Sequence, residues 1–116
     1  MKPEDKDLLL KDLCARLPYR VKVTFAGHSG REDCILNSQH LNSTYAIEYL
    51  GLKPYLRLIS SMTEEEKMKL SLSQIYAFTH YNEIAKMDWL NAHHFDYRGL
   101  IDKGLAIEVT EDNNPY

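Results

Sequence analysis

Histidine and aspartate residues near the end of the chain are the first candidates for chemistry. His93, His94 and Asp96 lie close together, and His80 precedes them. Imidazole and carboxylate groups are common zinc ligands. Adjacent histidines on a helix, however, point about 100° apart and do not provide the i, i+4 spacing with which two histidines share an ion. We therefore predict no metal here, and expect one histidine to cap a helix end and the other to pack.

A thiol nucleophile with a histidine base is the second chemical possibility. His28 or His40 could act as the general base for Cys34, but no sequence pattern indicates a third group to orient the histidine or an oxyanion hole. The glycine-containing segment 27–30 lacks the lysine and the spacing of a phosphate-binding loop. We therefore predict no catalytic residue and no cofactor. A small hydrolase or metal-dependent enzyme built on Cys34 or on the histidine cluster is kept as the third hypothesis.

Basic residues interleaved with tyrosines point to binding instead. Tyrosine and arginine dominate the energetics of protein interfaces, and they also stack on bases and hold phosphates. The chain has eight tyrosines. The alternative is that the tyrosine rings line the edge of the core with their hydroxyls in water. The predicted binding residues are Arg20, Lys22, Lys53, Tyr55, Arg57, Tyr97 and Arg98.

Length and composition limit the class of protein. A chain of 116 residues, 44% hydrophobic and 27% charged, is expected to form one domain, assigned to residues 1–110, with a polar tail at 111–116. No apolar run is long enough to span a membrane, and acidic residues interrupt the N-terminal segment where a signal peptide would need an apolar stretch. Two cysteines form no disulfide framework, which favours a reducing, cytoplasmic location and two small buried side chains.

The net charge of −3 bears on the partner. An acidic chain does not hold nucleic acid by bulk electrostatic attraction, although a local basic patch would still suffice. We therefore expect another protein or self-association as the partner. Nucleic acid is possible but not favoured, and no membrane is expected.

Helix and strand periodicity in the first half predicts a helix followed by a sheet. The helix runs from Pro3 to Leu17, with Pro18 ending it, and its apolar face carries Leu9, Leu10, Leu13, Cys14 and Leu17. Alternating residues then predict a three-stranded antiparallel meander with strands at 19–25, 33–37 and 44–50. Residues 55–59 are expected to form a short turn or a single helical turn.

Local capping signals organise the second half. Thr63 and Glu66 have the spacing of a capping box, which begins a helix predicted at 64–70. Residues 71–81 fit either a helix or a strand, and we interpret them as partly irregular. A helix follows from Asn82 to about Phe95, then a short helix at 97–103 capped by Asp96, with Gly104 at its C-terminal position, and a last strand at 105–109. This order of elements predicts an α+β fold.

Two longer stretches carry a resemblance to known proteins. LKPYLRLISSMTEEEK, residues 52–67, and DWLNAHHFDYRGLIDKGLAIE, residues 88–108, resemble a family of small proteins found in gut bacteria and in their phages or prophages. The resemblance implies a mobile-element setting and carries no activity or residue role with it. Together with the residue patterns, it favours a non-enzymatic protein-interaction or accessory module, with a nucleic-acid-binding regulator as the alternative.

Overall fold

The structure, a computed structural model, describes residues 2–42, 45–75 and 81–116, without the side chains of 71–75 and 81–83. It confirms an α+β fold that begins with a helix. The helices are α1 (Pro3–Arg16), α2 (Tyr45–Tyr49), α3 (Glu64–Ile75) and α4 (Tyr81–Ala92). The strands are β1 (Lys22–Gly27), β2 (Gly30–Ile35), β3 (Lys53–Leu58), β4 (Phe95–Asp96) and β5 (Ile107–Glu108).

Helix α1 is confirmed, but the face that it buries differs from the predicted one. Leu9 and Leu13 are fully buried as expected, and Asp12 and Arg16 are buried beside them. These four positions follow the i, i+3, i+4, i+7 spacing of one helical face. Cys14 was expected to be buried and is exposed, because it lies off that face.

The third strand of the sheet lies later in the chain than the sequence predicted. Residues 45–49 form helix α2 rather than a strand, and the segment expected to be a turn is strand β3. Tyr45, Ile47 and Tyr49 mimic strand alternation, but only Ile47 reaches the core. Pro54 is compatible with β3 because it lies opposite Val23, whose backbone N–H and C=O are turned towards β2. The missing amide of Pro54 therefore leaves no hydrogen bond with β1 unmade.

Sheet order also differs from the predicted meander. β1 pairs antiparallel with β2 on one side and with β3 on the other, and the order is β2-β1-β3-β4. β4 and β5 both run parallel to β3. β1 is therefore an internal strand, whereas a meander would place β2 between its neighbours. Strand β4 was not predicted at all.

The predicted capping box at the start of α3 is confirmed. Glu66 N–H donates to Thr63 Oγ1 at 3.1 Å, and Thr63 N–H donates to Glu66 Oε1 at 3.0 Å. The helix continues to Ile75, beyond the predicted end at residue 70. Residues 76–80 of the segment interpreted as irregular lie outside the described residues.

Turns replace the short helix predicted at 97–103. Asp96 caps this segment as expected, since its carboxylate accepts from Leu100 N–H at 3.0 Å and from Ile101 N–H at 2.9 Å. Gly104 has a φ of +74°, the left-handed conformation that the sequence predicted for it. The last strand is present and shorter than expected, at Ile107–Glu108.

Two apolar clusters hold these elements together. The larger lies between α1 and the sheet, and contains Leu9, Leu13, Val21, Val23, Leu36, Ile47, Leu52, Leu56, Leu100, Leu105 and Ala106. The smaller surrounds Phe95 with Met62, Leu90 and Trp89. Within the described residues, no helix is long and apolar enough to cross a membrane.

The last residues cross from β5 to the opposite side of β3. Val109 N–H donates to the Leu56 carbonyl at 2.8 Å. The hydroxyl of Tyr116 accepts from Lys22 N–H at 2.9 Å and donates to the Tyr55 carbonyl at 2.8 Å. Lys22 and Tyr55 would form the next rung of the β1–β3 ladder, so this hydroxyl replaces a strand-to-strand bond.

Candidate functional site

A crevice lies between the β1–β2 hairpin and α2. Its volume is about 430 Å³, within the usual range for sites that receive a ligand group. The apolar wall comes from β1 and from the end of α2. The lining residues are Phe25, Ala26, Gly27, His28, Glu32, Tyr45 and Leu50.

Tyr45, which lines the crevice, is one of two exposed tyrosines on α2. Tyr45 and Tyr49 are 58% and 72% exposed, and their ring centroids lie 5.2 Å apart. They are four residues apart on the helix, so both project from the face opposite the buried Ile47. Large exposed aromatic rings beside a cavity are characteristic of interaction sites, because their burial against a partner contributes strongly to affinity.

The charge within the crevice is negative. Glu32 is paired in the register with Phe25, and its side chain lies across Gly27, in the space that a Cβ atom at residue 27 would fill. His28, at the hairpin turn, is the other titratable side chain of the lining apart from Tyr45. The crevice therefore combines apolar walls with a carboxylate, which suits a partner side chain that is apolar next to one that is basic.

Four of the predicted binding residues share the outer face of the sheet. Lys53, Tyr55 and Arg57 alternate along β3, and the pairing of Thr24 with Lys53 places Lys22 of β1 on the same face. Tyr55 donates its hydroxyl to Asp33 at 3.1 Å. The structure therefore brings these residues onto one surface, on the opposite face of the sheet from α1.

Arg57 is also engaged in a structural network. Its guanidinium binds both carboxylate oxygens of Glu66, at 2.6 and 2.8 Å, and lies 4.3 Å from the centroid of the Phe95 ring. This bond to Arg57 is the main reason why the pKa of Glu66 falls to about 2. Arg57 therefore joins β3 to the start of α3, and binding a partner would require it to leave or share that carboxylate.

The remaining predicted residues lie elsewhere. Arg98 donates to Asp12 at 3.2 Å and lies over the ring of Tyr97, whose hydroxyl donates to Asn91 at 2.7 Å. Arg16 lies over the same ring. Arg20 is exposed before β1, with a φ of 60°. Tyr97 and Arg98 therefore belong to a cluster around buried Asp12, separate from the outer face of the sheet.

Cys34 and His40 do come together, in a geometry that does not activate the thiol. Cys34 Sγ lies 3.7 Å from His40 Nε2, while His40 Nδ1 accepts from Asn37 N–H at 3.1 Å. An accepting Nδ1 holds the ring neutral, with its proton on Nε2. Burial raises the pKa of Cys34 and lowers the pKa of His40, so both shifts oppose a thiolate–imidazolium pair.

The histidine cluster near the end of α4 is divided by the fold. The ring of His93 lies tilted against Trp89 with centroids 4.2 Å apart, and His94 stacks on Tyr116 at 3.9 Å. The carboxylate of Asp96 is used by backbone amides. In the part of the chain that the structure describes, no group of three or more potential ligands is arranged to hold a metal ion.

His94 makes the stability of the protein depend on pH. Burial, and next the positive charge of Arg16, lowers the pKa of His94 from 6.5 to about 4. Because the folded-state pKa is depressed, the unfolded chain binds the proton more tightly. This contribution to the free energy of unfolding is therefore complete above pH 6.5 and is lost as the pH falls towards 4.

We expect His94→Asn to flatten this dependence, since asparagine tolerates the φ of 64° at this position and does not titrate. Urea unfolding at pH 7 and pH 5 measures the difference in unfolding free energy for the variant and the wild type. His28→Asn, at the exposed hairpin turn, is the matched control. An unchanged pH dependence in His94→Asn would show that another group is responsible.

Sequence reasoning missed the two tyrosines of α2. Alternation along the strand predicted at 44–50 puts Tyr45 and Tyr49 on one face with Ile47, which hides the i, i+4 spacing that pairs them on a helix. The i, i+4 spacing of the two tyrosines would have identified the pair if residues 45–49 had been predicted as a helix. Glu32 was also missed, because only the hairpin register turns it over Gly27.

Comparisons of the chain with protein-family models, curated proteins and solved structures find no significant match. The fold and the site define a small α+β protein with an aromatic crevice at one end of its sheet.

Proposed function

We propose that this protein is a non-enzymatic interaction module that binds a segment of another protein in the crevice between the β1–β2 hairpin and α2. The observation that carries the proposal is the pair of exposed rings, Tyr45 and Tyr49, beside that crevice. A cytoplasmic setting and an accessory role in a mobile element complete the proposal, and both come from the sequence alone.

The chemistry of the crevice specifies the kind of segment. Phe25 and Leu50 provide an apolar wall for one bulky side chain, and Glu32 provides a carboxylate for a neighbouring cation. A segment with an apolar anchor next to lysine or arginine satisfies both. The anchor would displace water from the crevice while the tyrosine rings cover it, which is how interface hot spots are sheltered.

Selection of linear peptides displayed on phage tests this proposal. We expect the selected peptides to share an apolar anchor and an adjacent basic residue. Tyr49→Ala is expected to weaken the best peptide at least about ten-fold by titration calorimetry, since a hot-spot ring contributes over 1 kcal/mol. Ile59→Ala also removes an exposed apolar side chain, but Ile59 follows the end of β3 whereas α2 precedes its start. It is the matched control and should bind normally.

Two outcomes would contradict the proposal. One is selection without any shared motif, and the other is a peptide whose affinity is unchanged by both Tyr49→Ala and Glu32→Gln. The nucleic-acid alternative relies instead on Lys22 and Lys53 on the outer face of the sheet. Salt-dependent binding of single-stranded RNA that is lost in Lys22→Ala and retained in Tyr49→Ala would favour that alternative.

A further inference from the structure

β2 is the terminal strand of the sheet, and its outer edge has no strand partner among the described residues. Leu36 N–H donates to the Val21 carbonyl at 2.9 Å, which fixes the alternation of hydrogen bonding in the hairpin. Glu32 and Cys34 therefore turn their backbone groups towards β1. Arg31 and Asp33 turn theirs outwards, where another strand can pair with them.

The outward residues of β2 are self-complementary in charge. An antiparallel copy of the strand that is centred on Glu32 places each Arg31 opposite the Asp33 of the other copy. A two-fold axis creates this contact twice, because a symmetric interface repeats every pair. Directly opposed residues of opposite charge stabilise a strand pair, whereas like charges destabilise it.

Neighbouring registers lack this match. Centring the pair on Asp33 brings two aspartates together, and centring it on Arg31 brings two arginines together. A pair centred on Cys34 puts Asp33 opposite Ile35 and forms no ion pair. These registers all align the outward-facing backbone groups of the two strands. Pairing of opposite charges favours the register that is centred on Glu32.

Both charged side chains retain capacity for a partner. Arg31 uses Nε for Thr24 and one Nη2 hydrogen for Gly51, and no hydrogen bond of its Nη1 occurs among the described residues. Among the described residues, the one side-chain hydrogen bond that Asp33 accepts comes from Tyr55 and goes to Oδ1. In this register Glu32 of one copy faces Glu32 of the other copy across the two-fold axis. The two carboxylates do not meet, because each lies back across Gly27 of its own chain.

We propose that two copies of this chain associate through their β2 edges, antiparallel and centred on Glu32, with Arg31 of each copy paired to the partner's Asp33. Glu32 also lines the crevice, so the pairing places one crevice on each side of the two-fold axis. The dimer would then present two binding sites, and a partner with two segments would bind it with increased avidity. This inference does not depend on what the crevice binds.

Charge reversal tests the register directly. By sedimentation equilibrium up to millimolar concentration, we expect the wild type to dimerise. Arg31→Glu and Asp33→Arg, each alone, should raise the dimer dissociation constant at least about ten-fold, because each opposes like charges twice. A mixture of the two variants should dimerise again, since each copy then supplies the charge that the other needs.

Tyr55→Phe is the control for the internal role of Asp33, because it removes the 3.1 Å bond between the two side chains and leaves the edge unchanged. This variant should dimerise like the wild type, and circular dichroism should verify that every variant is folded. A wild type that stays monomeric at millimolar concentration would overturn the inference. A dimer that neither single reversal weakens, or that the mixture fails to restore, would overturn it equally, and neither result would affect peptide binding in the crevice.

Discussion

Replacing Asp12 with alanine is expected to lower the free energy of unfolding by about 3–5 kcal/mol, because it leaves the Arg16 guanidinium buried without its counter-charge. Both side chains have no exposed surface, and Asp12 accepts from Arg16 Nε at 2.7 Å. Asp12 also accepts from Arg98 Nε at 3.2 Å, so one carboxylate serves two cations. Urea unfolding monitored by circular dichroism measures the loss.

Two further variants separate the buried charge from helix effects. Glu64→Ala removes an exposed ion pair with Lys67 and should change stability far less, since exposed pairs contribute little. The double variant Asp12→Leu with Arg16→Met removes both charges and should recover most of the loss. An Asp12→Ala protein as stable as the wild type would mean that Arg16 has found another partner or water. Its Nη1 already has no hydrogen-bond partner among the described residues.

Replacing Phe95 with alanine is expected to cost about 3–5 kcal/mol, the usual range for removing a buried phenylalanine side chain. Phe95 is fully buried in β4, and its ring stacks on Trp89 with centroids 5.7 Å apart. The guanidinium of Arg57 lies 4.3 Å from the same centroid. The ring therefore joins α4 to β3, and its loss removes contacts with both.

Phe95→Leu is the graded control, since leucine retains most of the apolar volume and should cost clearly less than alanine. Thermal and urea unfolding would rank the three proteins, and Trp89 fluorescence reports locally because this tryptophan contacts the ring. Equal losses for leucine and alanine would indicate that the aromatic stacking, rather than the filled volume, is what stabilises the site. No loss in either variant would contradict the packing described for this cluster.

Positions with strong local signals were predicted correctly. Thr63 and Glu66 satisfy each other's backbone within one helical turn, and Gly104 adopts the left-handed conformation at the predicted position. Asp96 was expected to cap a short helix at 97–103, and it caps the turns that form there instead. These signals are readable because a cap or a turn uses bonds between residues that are close in sequence.

The short segments with mixed signals were predicted wrongly. Residues 45–49 alternate like a strand and form α2, while the segment with Pro54 is β3. Alternating residues over five positions fit either period, and the choice depends on which neighbours the side chains meet. Here Ile47 packs into the core while Tyr45 and Tyr49 stay exposed, and β1 offers Pro54 a place where no amide is required.

The sequence by itself determined the fold class, the first helix, the caps and the ends of several elements, because each depends on chain stiffness and hydrogen bonds between near neighbours. Only the tertiary structure decided the sheet order, the crevice beside α2 and the burial of Asp12 with Arg16. Asp12 meets Arg98 across 86 positions of the chain, and Glu32 enters the crevice through the hairpin register. Contacts between distant residues arise from packing that no local pattern encodes, so the candidate site emerged only when the elements were assembled.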